Sequence, residues 1–274
     1  MISGKQIGVI LSVAVLIVAL YLLPVKGLIA PEEESGPVQE GSEVVFSPAG
    51  LAEAEKQNIN PSLLVEIEEI EKELQEKPAD TVLLKRLAGE WEGLNVSNVS
   101  GMYYMELAEK NPTTENWLKA GNQLRAGYNS VSDTVQRSFL VDQALVAYQN
   151  ALDQNPENLD AQTGLGAVTV EATPAPMKGI QLLLGVVEKD PGNPGANLTL
   201  GKFSMQTGQY EKARDRFLTV LESKPGGEVY FYLGDAYRQL GETEKAIDAY
   251  ETTKRYIVDP QFTQMIDNII KELK

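Results

Sequence analysis

Over residues 194–260 the apolar positions recur with the period of an α-helix, in short segments separated by turns. Between Glu228 and Gln239 one face is formed by residues at positions i, i+3, i+4 and i+7, namely Tyr230, Leu233, Gly234 and Tyr237. Such a stripe predicts an amphipathic helix with one buried face. A second stripe follows the next turn and comprises Ala246, Tyr250 and Thr253. The pattern therefore predicts two helices joined by a tight turn.

This helix pair is preceded by a similar pair, 33 residues earlier in the chain. Gly201, Gly208, Ala213 and Phe217 of the earlier copy correspond to Gly234, Gly241, Ala246 and Tyr250 of the later one. Small residues let two helices approach closely, and the glycine in the turn supplies the backbone conformation that the antiparallel return needs. The spacing resembles the tetratricopeptide repeat, a helix–turn–helix unit with a period of about 34 residues.

Two more copies lie upstream, with more substitutions. One is marked by Gly166, Gly179, Leu183, Val186 and Pro191. The other is marked by Trp117, Gly121, Ala144, Tyr148, Ala151 and Pro156. In this copy the glycine and the alanine are 11 residues farther apart than Gly201 and Ala213. We predict that the insertion forms a longer loop and extra helical turns, capped by Ser132–Asp133.

The two ends of the repeat region are also predicted to be helical. Residues 78–112 are expected to form a degenerate first repeat. The chain closes on a helical stripe of Phe262, Met265, Ile266, Ile269, Ile270 and Leu273, which would cover the apolar face of the last repeat. The predicted organisation is an anchor at 1–26, a linker at 27–47, N-terminal helices with the degenerate repeat at 48–113, four repeats at 114–260 and a capping helix at 261–274.

The resemblance implies an all-α, right-handed superhelical solenoid whose concave face binds a segment of another protein. In tetratricopeptide proteins this face is formed by set positions on the first helix of each repeat. Carried onto this sequence, those positions give the predicted protein-binding groove: Leu118, Asn122, Arg125, Thr163, Ala167, Val170, Leu198, Lys202, Met205, Gln206, Phe231, Asp235 and Arg238. Members that hold a terminal carboxylate use Lys and Asn at set positions, and only Asn122 matches here. The carboxylate-holding mode is therefore not expected.

An uncharged apolar run extends from Ile7 to Leu23, between Lys5 and Lys26. Its 17 residues are at the short end for a membrane-spanning helix and longer than a usual signal-peptide core. We therefore expect a single-pass, uncleaved signal-anchor.

A cleavable signal peptide is the alternative for this run. The candidate site after Ala30 has Leu28 and Pro31 beside it, and both are unfavourable for cleavage. The amino terminus and Lys5 favour an orientation with the amino terminus inside. We expect a bacterial plasma (inner) membrane protein with the solenoid outside the cytoplasm.

Residues 27–47 contain five glutamates among Gly and Pro residues and show no apolar periodicity, which predicts a disordered tether. Asn60–Pro61 is then expected to open a helix that runs through Gln75. Leu63, Ile67, Ile70 and Leu74 form a heptad seam on this helix. The seam predicts either a coiled coil that forms a homodimer or a helix that packs on the first repeat. Two heptads are fewer than a coiled coil normally shows, which favours packing.

Composition and charge exclude several classes of function. The formal net charge of −15 repels nucleic acid and anionic lipid. The chain has no Cys and no His, so it has no thiol chemistry and lacks the commonest general base and metal ligand. The sequence Gly164–Leu–Gly166 has Thr169 in place of the third glycine of a dinucleotide fingerprint. We expect neither an enzyme nor a bound cofactor.

Three functional hypotheses remain, and all of them involve protein partners. The first is a membrane-anchored scaffold that binds a segment of another protein in its concave groove. The second is an envelope assembly chaperone, because one N-terminal span followed by such repeats resembles subunits of cytochrome c maturation and translocon-associated periplasmic chaperones. The third is a structural protein that self-associates through the seam of Leu63 to Leu74.

Overall fold

The computed structural model describes residues 46–274. In this part of the chain there are thirteen α-helices and no β-strand. In chain order the helices are α1 (Pro48–Lys56), α2 (Val65–Glu76), α3 (Thr81–Gly93), α4 (Ser97–Lys110), α5 (Thr114–Ser130), α6 (Thr134–Gln154), α7 (Leu159–Ala172), α8 (Pro176–Lys189), α9 (Pro194–Gln206), α10 (Tyr210–Ser223), α11 (Gly227–Gln239), α12 (Thr243–Tyr256) and α13 (Pro260–Leu273).

Helices α3 to α12 form five successive antiparallel pairs, from α3 with α4 to α11 with α12, and each pair packs against the next. Most of the core lies between the two helices of a pair and at the junctions between pairs. The all-α helical-repeat fold predicted from the sequence is thereby confirmed.

Close approach within a pair depends on a glycine facing an aromatic ring. A Cβ on Gly201 would lie 2.6 Å from the ring of Phe217, and a Cβ on Gly234 would lie 2.8 Å from the ring of Tyr250. Both rings are fully buried. The turn glycines Gly208 and Gly241 have φ angles of +72° and +74°, which L-residues with a side chain rarely adopt.

The insertion in the α5–α6 pair is entirely helical. Helix α5 has 17 residues and α6 has 21, whereas α9 and α10 have 13 and 14. The connection 131–133 is no longer than the connection 207–209. The predicted extra helical turns are therefore present, while the predicted longer loop is not. Asp133 caps α6 as predicted, because its carboxylate accepts a hydrogen bond from the Gln136 amide at 2.7 Å.

The segment after Asn60 differs from the single helix that was predicted. Asn60 caps a short 3₁₀ turn at Pro61–Leu63, and α2 begins only at Val65. On the seam, Ile67 and Ile70 are each 1% exposed and belong to the core that α2 shares with α1, α3 and α4, while Leu63 lies outside it. The centre of the seam is therefore buried by contacts within the same chain, as expected if this helix packs on the first repeat.

Helix α13 covers the end of the stack. Ile266 and Ile270 are buried against Ala246 and Tyr250 of α12. Phe262 lies 5.7 Å from Phe231, measured between ring centroids, so the cover extends onto α11.

The predicted signal-anchor and most of the predicted acidic linker lie outside the described residues. Among residues 46–274, no helix is long and apolar enough to cross a membrane.

Candidate functional site

A groove of about 810 Å³ runs along the first helices of four successive pairs, α5, α7, α9 and α11. Its walls carry apolar, amide and charged side chains: Asn122, Arg125, Ala126, Asn129, Tyr148, Val170, Glu171, Leu198, Thr199, Lys202, Phe203, Gln206, Lys224 and Glu228. The volume is that of a site for a ligand larger than one side chain. With three cations and two carboxylates, the groove is slightly positive in a protein of net charge −15.

At one end of the groove Arg125 and Glu171 form a bidentate ion pair between α5 and α7. The distances are 3.2 Å from Nε to Oε2 and 2.8 Å from Nη2 to Oε1. Tyr128 also donates to Glu171 Oε2, at 3.1 Å. Burial disfavours the charge on Arg125, but the hydrogen bonds and charge of Glu171 outweigh it and raise the pKa of the guanidinium. The pair fixes the relative position of two groove helices.

The floor beside this pair is formed by Tyr148 of α6. Its ring contacts Gly121 of its own pair and Gly164 of the next pair, and its hydroxyl donates to Asn122 Oδ1 at 2.8 Å. Burial raises the pKa of the Tyr148 hydroxyl, which keeps it a neutral hydrogen-bond donor. The Asn122 amide group is thus oriented by a buried side chain.

The other end of the groove is lined by Lys202 and lacks a hydrogen bond of the kind that Tyr148 makes to Asn122. The aromatic residue that faces the glycine of this pair, Gly201, is Phe217, which has no hydroxyl to donate to a groove residue. Lys202 instead forms an ion pair with Glu228 of α11 and lies 5.0 Å from the centroid of the Tyr232 ring. Nearby Lys224 forms no ion pair within residues 46–274. This end therefore offers cationic groups.

Six of the thirteen predicted groove residues line this groove, and the structure brings them together from three helices. They are Asn122, Arg125, Val170, Leu198, Lys202 and Gln206. The spacing rule was thus informative for the central helices α5, α7 and α9.

The other seven predicted residues do not line this groove. Leu118 packs on the main core, Thr163 lies against the start of α9, and Ala167 is fully buried. Met205 packs towards α11. Phe231 packs on Phe262 and Tyr250, while Asp235 accepts hydrogen bonds from Tyr250 and Arg238.

Eight groove residues were not predicted. Asn129 lies on the extra turn of α5, which the sequence places in an insertion of unknown shape, and Ala126 stands five residues after Gly121, as Gln206 stands after Gly201. The other six come from helix ends, a connection and buried positions: Tyr148, Glu171, Thr199, Phe203, Lys224 and Glu228. No spacing signal marks these, because they meet the groove only through packing between pairs.

Comparison with known proteins agrees with this architecture. A family model of the tetratricopeptide repeat matches residues 198–258. Anaphase-promoting complex subunit 3 of Dictyostelium discoideum is 34% identical over 96 residues, which are 35% of this chain and 10% of that protein. The chain therefore spans about a tenth of the length of that relative.

Solved structures share the fold at low sequence identity. The APC/C hetero-tetramer Cut9–Hcn1 aligns with a TM-score of 0.55 and 17% identity, over 82% of this chain and 43% of that chain. A tetratricopeptide repeat protein from Parabacteroides merdae aligns with a TM-score of 0.55 and 16% identity, over 82% of this chain and 85% of that one. Residues 198–258 thus match the tetratricopeptide repeat, and the described part of the chain has the all-α tetratricopeptide-repeat fold. The resemblance seen in the spacing of its glycines is confirmed.

The tetratricopeptide repeat is a non-catalytic protein-interaction scaffold. Proteins of this class bind protein or peptide partners. Among residues 46–274, no group of acidic side chains is arranged to hold a metal ion.

Proposed function

We propose that the groove of α5, α7, α9 and α11 binds a segment of a partner protein and that residues 7–23 tether the scaffold to a membrane. The observation that carries the proposal is the groove itself, about 810 Å³ in volume and lined by side chains of four helix pairs. A concave surface built from successive repeats suits an extended or helical segment, because each repeat contacts a different part of it.

The chemistry of the walls indicates what such a segment carries. Val170, Leu198 and Phe203 offer apolar contacts, and Asn122 and Gln206 can both donate to and accept from a peptide backbone. Lys202 and Lys224 favour a carboxylate at the α9–α11 end. We therefore expect a segment with apolar side chains and at least one acidic residue.

A site-specific photo-crosslinker tests the groove. Placed at Gln206, an exposed groove position, it should capture one discrete polypeptide in cells that produce the full chain. Placed at Met177, which is 57% exposed on α8 and outside the groove, it should not.

A pair of charge reversals then tests the residue assignment. Lys202→Glu should reduce the adduct roughly tenfold, because it replaces a favourable charge pair by a repulsive one. Lys212→Glu is the matched control, since Lys212 is an exposed lysine of α10 whose ammonium donates only to Gln209. Equal adducts from Gln206 and Met177, or equal effects of the two reversals, would show that the partner binds elsewhere.

A further inference from the structure

A second cavity, of about 270 Å³, lies at the opposite end of the described chain, where α1, α2 and α4 meet. It is smaller than the usual range of about 300–1,000 Å³ for drug-sized ligands, so it suits a single long side chain. Its lining has two parts. Leu74, Pro48 and Pro78 form an apolar part, and Glu53, Glu71 and Glu106 form an acidic part.

Tyr103 distinguishes this cavity from an ordinary patch of acidic side chains. Its side chain lines the cavity although the residue is only 4% exposed. Its neighbour Tyr104 donates to Glu92 at 3.0 Å, whereas the Tyr103 hydroxyl has no hydrogen-bond partner among residues 46–274. The buried side-chain polar atom without a partner in residues 46–274 is Trp91 Nε1 and not the Tyr103 hydroxyl, so this hydroxyl reaches the solvent of the cavity and can accept a hydrogen bond there.

The surroundings of the hydroxyl define the charge of a group that would bind in this cavity. Burial raises the pKa of the Tyr103 hydroxyl, and the charges of Glu71, Glu106 and Glu53 raise it further. The hydroxyl is therefore neutral and lies in the field of three carboxylates. A cationic group with hydrogen-bond donors would satisfy both the hydroxyl oxygen and the carboxylates.

One internal cation is already present and does not fill the cavity. Lys56 binds Glu53 at 2.7 Å and also pairs with Glu71, but it is not part of the lining. Within residues 46–274 the cation paired with Glu106 is Lys110, at 3.8 Å, which is beyond hydrogen-bond distance. The carboxylates outnumber the ammonium groups that bind them, so the cavity keeps a negative charge.

We propose that this cavity binds the side chain of a lysine or arginine from a basic segment of a second protein, with its alkyl stem on Leu74, Pro48 and Pro78. The charged head lies between Glu71 and Glu106 and donates to the Tyr103 hydroxyl. A bare divalent ion is excluded as the occupant, because no acidic group within residues 46–274 is arranged to ligate a metal. The preceding residues 27–45 are excluded by charge, because they contain five glutamates and neither lysine nor arginine.

This site is separate from the groove. Its lining residues come from α1, α2, the loop after α2 and α4, and none of them lines the groove. The scaffold would then bind one partner segment at the centre of the solenoid and a basic segment at its N-terminal end. Substitutions in either site should leave the other unaffected.

The test is a ligand-observed NMR titration of the full chain in non-ionic detergent micelles. The probe is an acetylated and amidated heptapeptide of Gly and Ser with one central lysine. The comparison peptide carries norleucine, which keeps the alkyl stem and removes the charge. Specific broadening of the lysine peptide without broadening of the norleucine peptide is the expected result, and equal broadening would overturn the proposal.

Single-residue variants test whether the lysine peptide binds in the cavity. Glu106→Gln should weaken binding of the lysine peptide roughly tenfold, because it removes a charged acceptor. Glu109→Gln is the matched control, since Glu109 is an exposed glutamate of the same helix outside the cavity. Equal losses in these two variants would mean that diffuse acidity, and not the cavity, attracts the peptide.

Tyr103→Phe separates a binding role from a structural one. Because the hydroxyl bonds to no other residue of 46–274 and reaches solvent, its removal should leave Tm unchanged, while the dissociation constant for the lysine peptide rises several-fold. An unchanged dissociation constant would remove Tyr103 from the site and overturn the proposal. Equal affinity for free lysine amide would assign the cavity to small cations in place of a protein segment.

Discussion

At the scale of single residues, the repeat is set by glycines that face aromatic rings. Gly121 and Tyr148 both stand at repeat positions, and the structure places the Tyr148 ring against Gly121 within one pair. The structure adds that Tyr148 also contacts Gly164 of the following pair. The first contact follows from the spacing inside one repeat, whereas the second depends on how two pairs stack.

Replacement of Gly121 by alanine tests this packing. The new Cβ would lie 2.8 Å from the Tyr148 ring, which is fully buried and cannot move away freely. Overpacking costs about 1–3 kcal/mol, which exceeds the gain of up to about 1 kcal/mol in helix propensity. We expect Gly121→Ala to lower the free energy of unfolding, as measured by urea denaturation followed by circular dichroism.

Gly185 provides the matched control for this prediction. It lies inside α8, and a Cβ added there would have no other atom within 4 Å, so alanine meets open space. Gly185→Ala should raise the free energy of unfolding by up to about 1 kcal/mol. Stabilisation by both substitutions would show that the Tyr148 contact does not limit the helix approach.

At the scale of elements, the helices agree closely with the predictions from the sequence, whereas the connections between them agree less well. Asp133, Asn158 and Asn193 each accept a hydrogen bond from a backbone amide at the start of a helix, as capping residues do. The 11-residue insertion could not be divided between loop and helix from spacing alone. Its apolar residues found partners along α5 and α6, so both helices grew and the connection stayed short.

The terminal helix α13 gives a prediction at this scale. Ile266 is fully buried against α12, so Ile266→Ala should cost about 2–5 kcal/mol. Repeats contact only their neighbours, so the loss should be local. Hydrogen exchange should accelerate in α12 and α13 and remain unchanged in α5 and α6.

Met265 is the control residue on the same helix, because it is 40% exposed. Met265→Ala should leave exchange in α12 unchanged within error. Faster exchange along the whole solenoid after Ile266→Ala would show that the chain unfolds as one cooperative unit and that α13 is not a local cover.

At the scale of the whole molecule, the side of the membrane decides which partners can reach the two proposed sites. The proposed anchor at Ile7–Leu23 has Lys5 before it and Lys26 after it. The amino terminus adds a second positive charge on the Lys5 side, which favours retention of that side in the cytoplasm. The scaffold would then act outside the cytoplasm.

Reporter fusions after Lys274 test this orientation. A reporter active only outside the cytoplasm should function, and one active only inside should not. Reversal of the charge bias by Lys5→Glu, with a Lys inserted after Lys26, should shift activity toward the inside reporter. Activity of only the inside reporter in the unmodified chain would place the scaffold on the cytoplasmic face and end the envelope chaperone hypothesis.

The amino-acid sequence by itself determined the helices, their pairing and the repeat, because these depend on spacing over short stretches and on small residues at fixed positions. It also determined which of its residues carry charge, but not which charges meet. Arg125 and Glu171 are 46 residues apart and face each other only because α5 and α7 belong to stacked pairs. In the same way, Tyr103 and Glu71 line one cavity only because α1, α2 and α4 come together. The rotation from one pair to the next is a property of packed side chains in three dimensions, so only the tertiary structure decided which further residues complete the groove and where the acidic cavity forms.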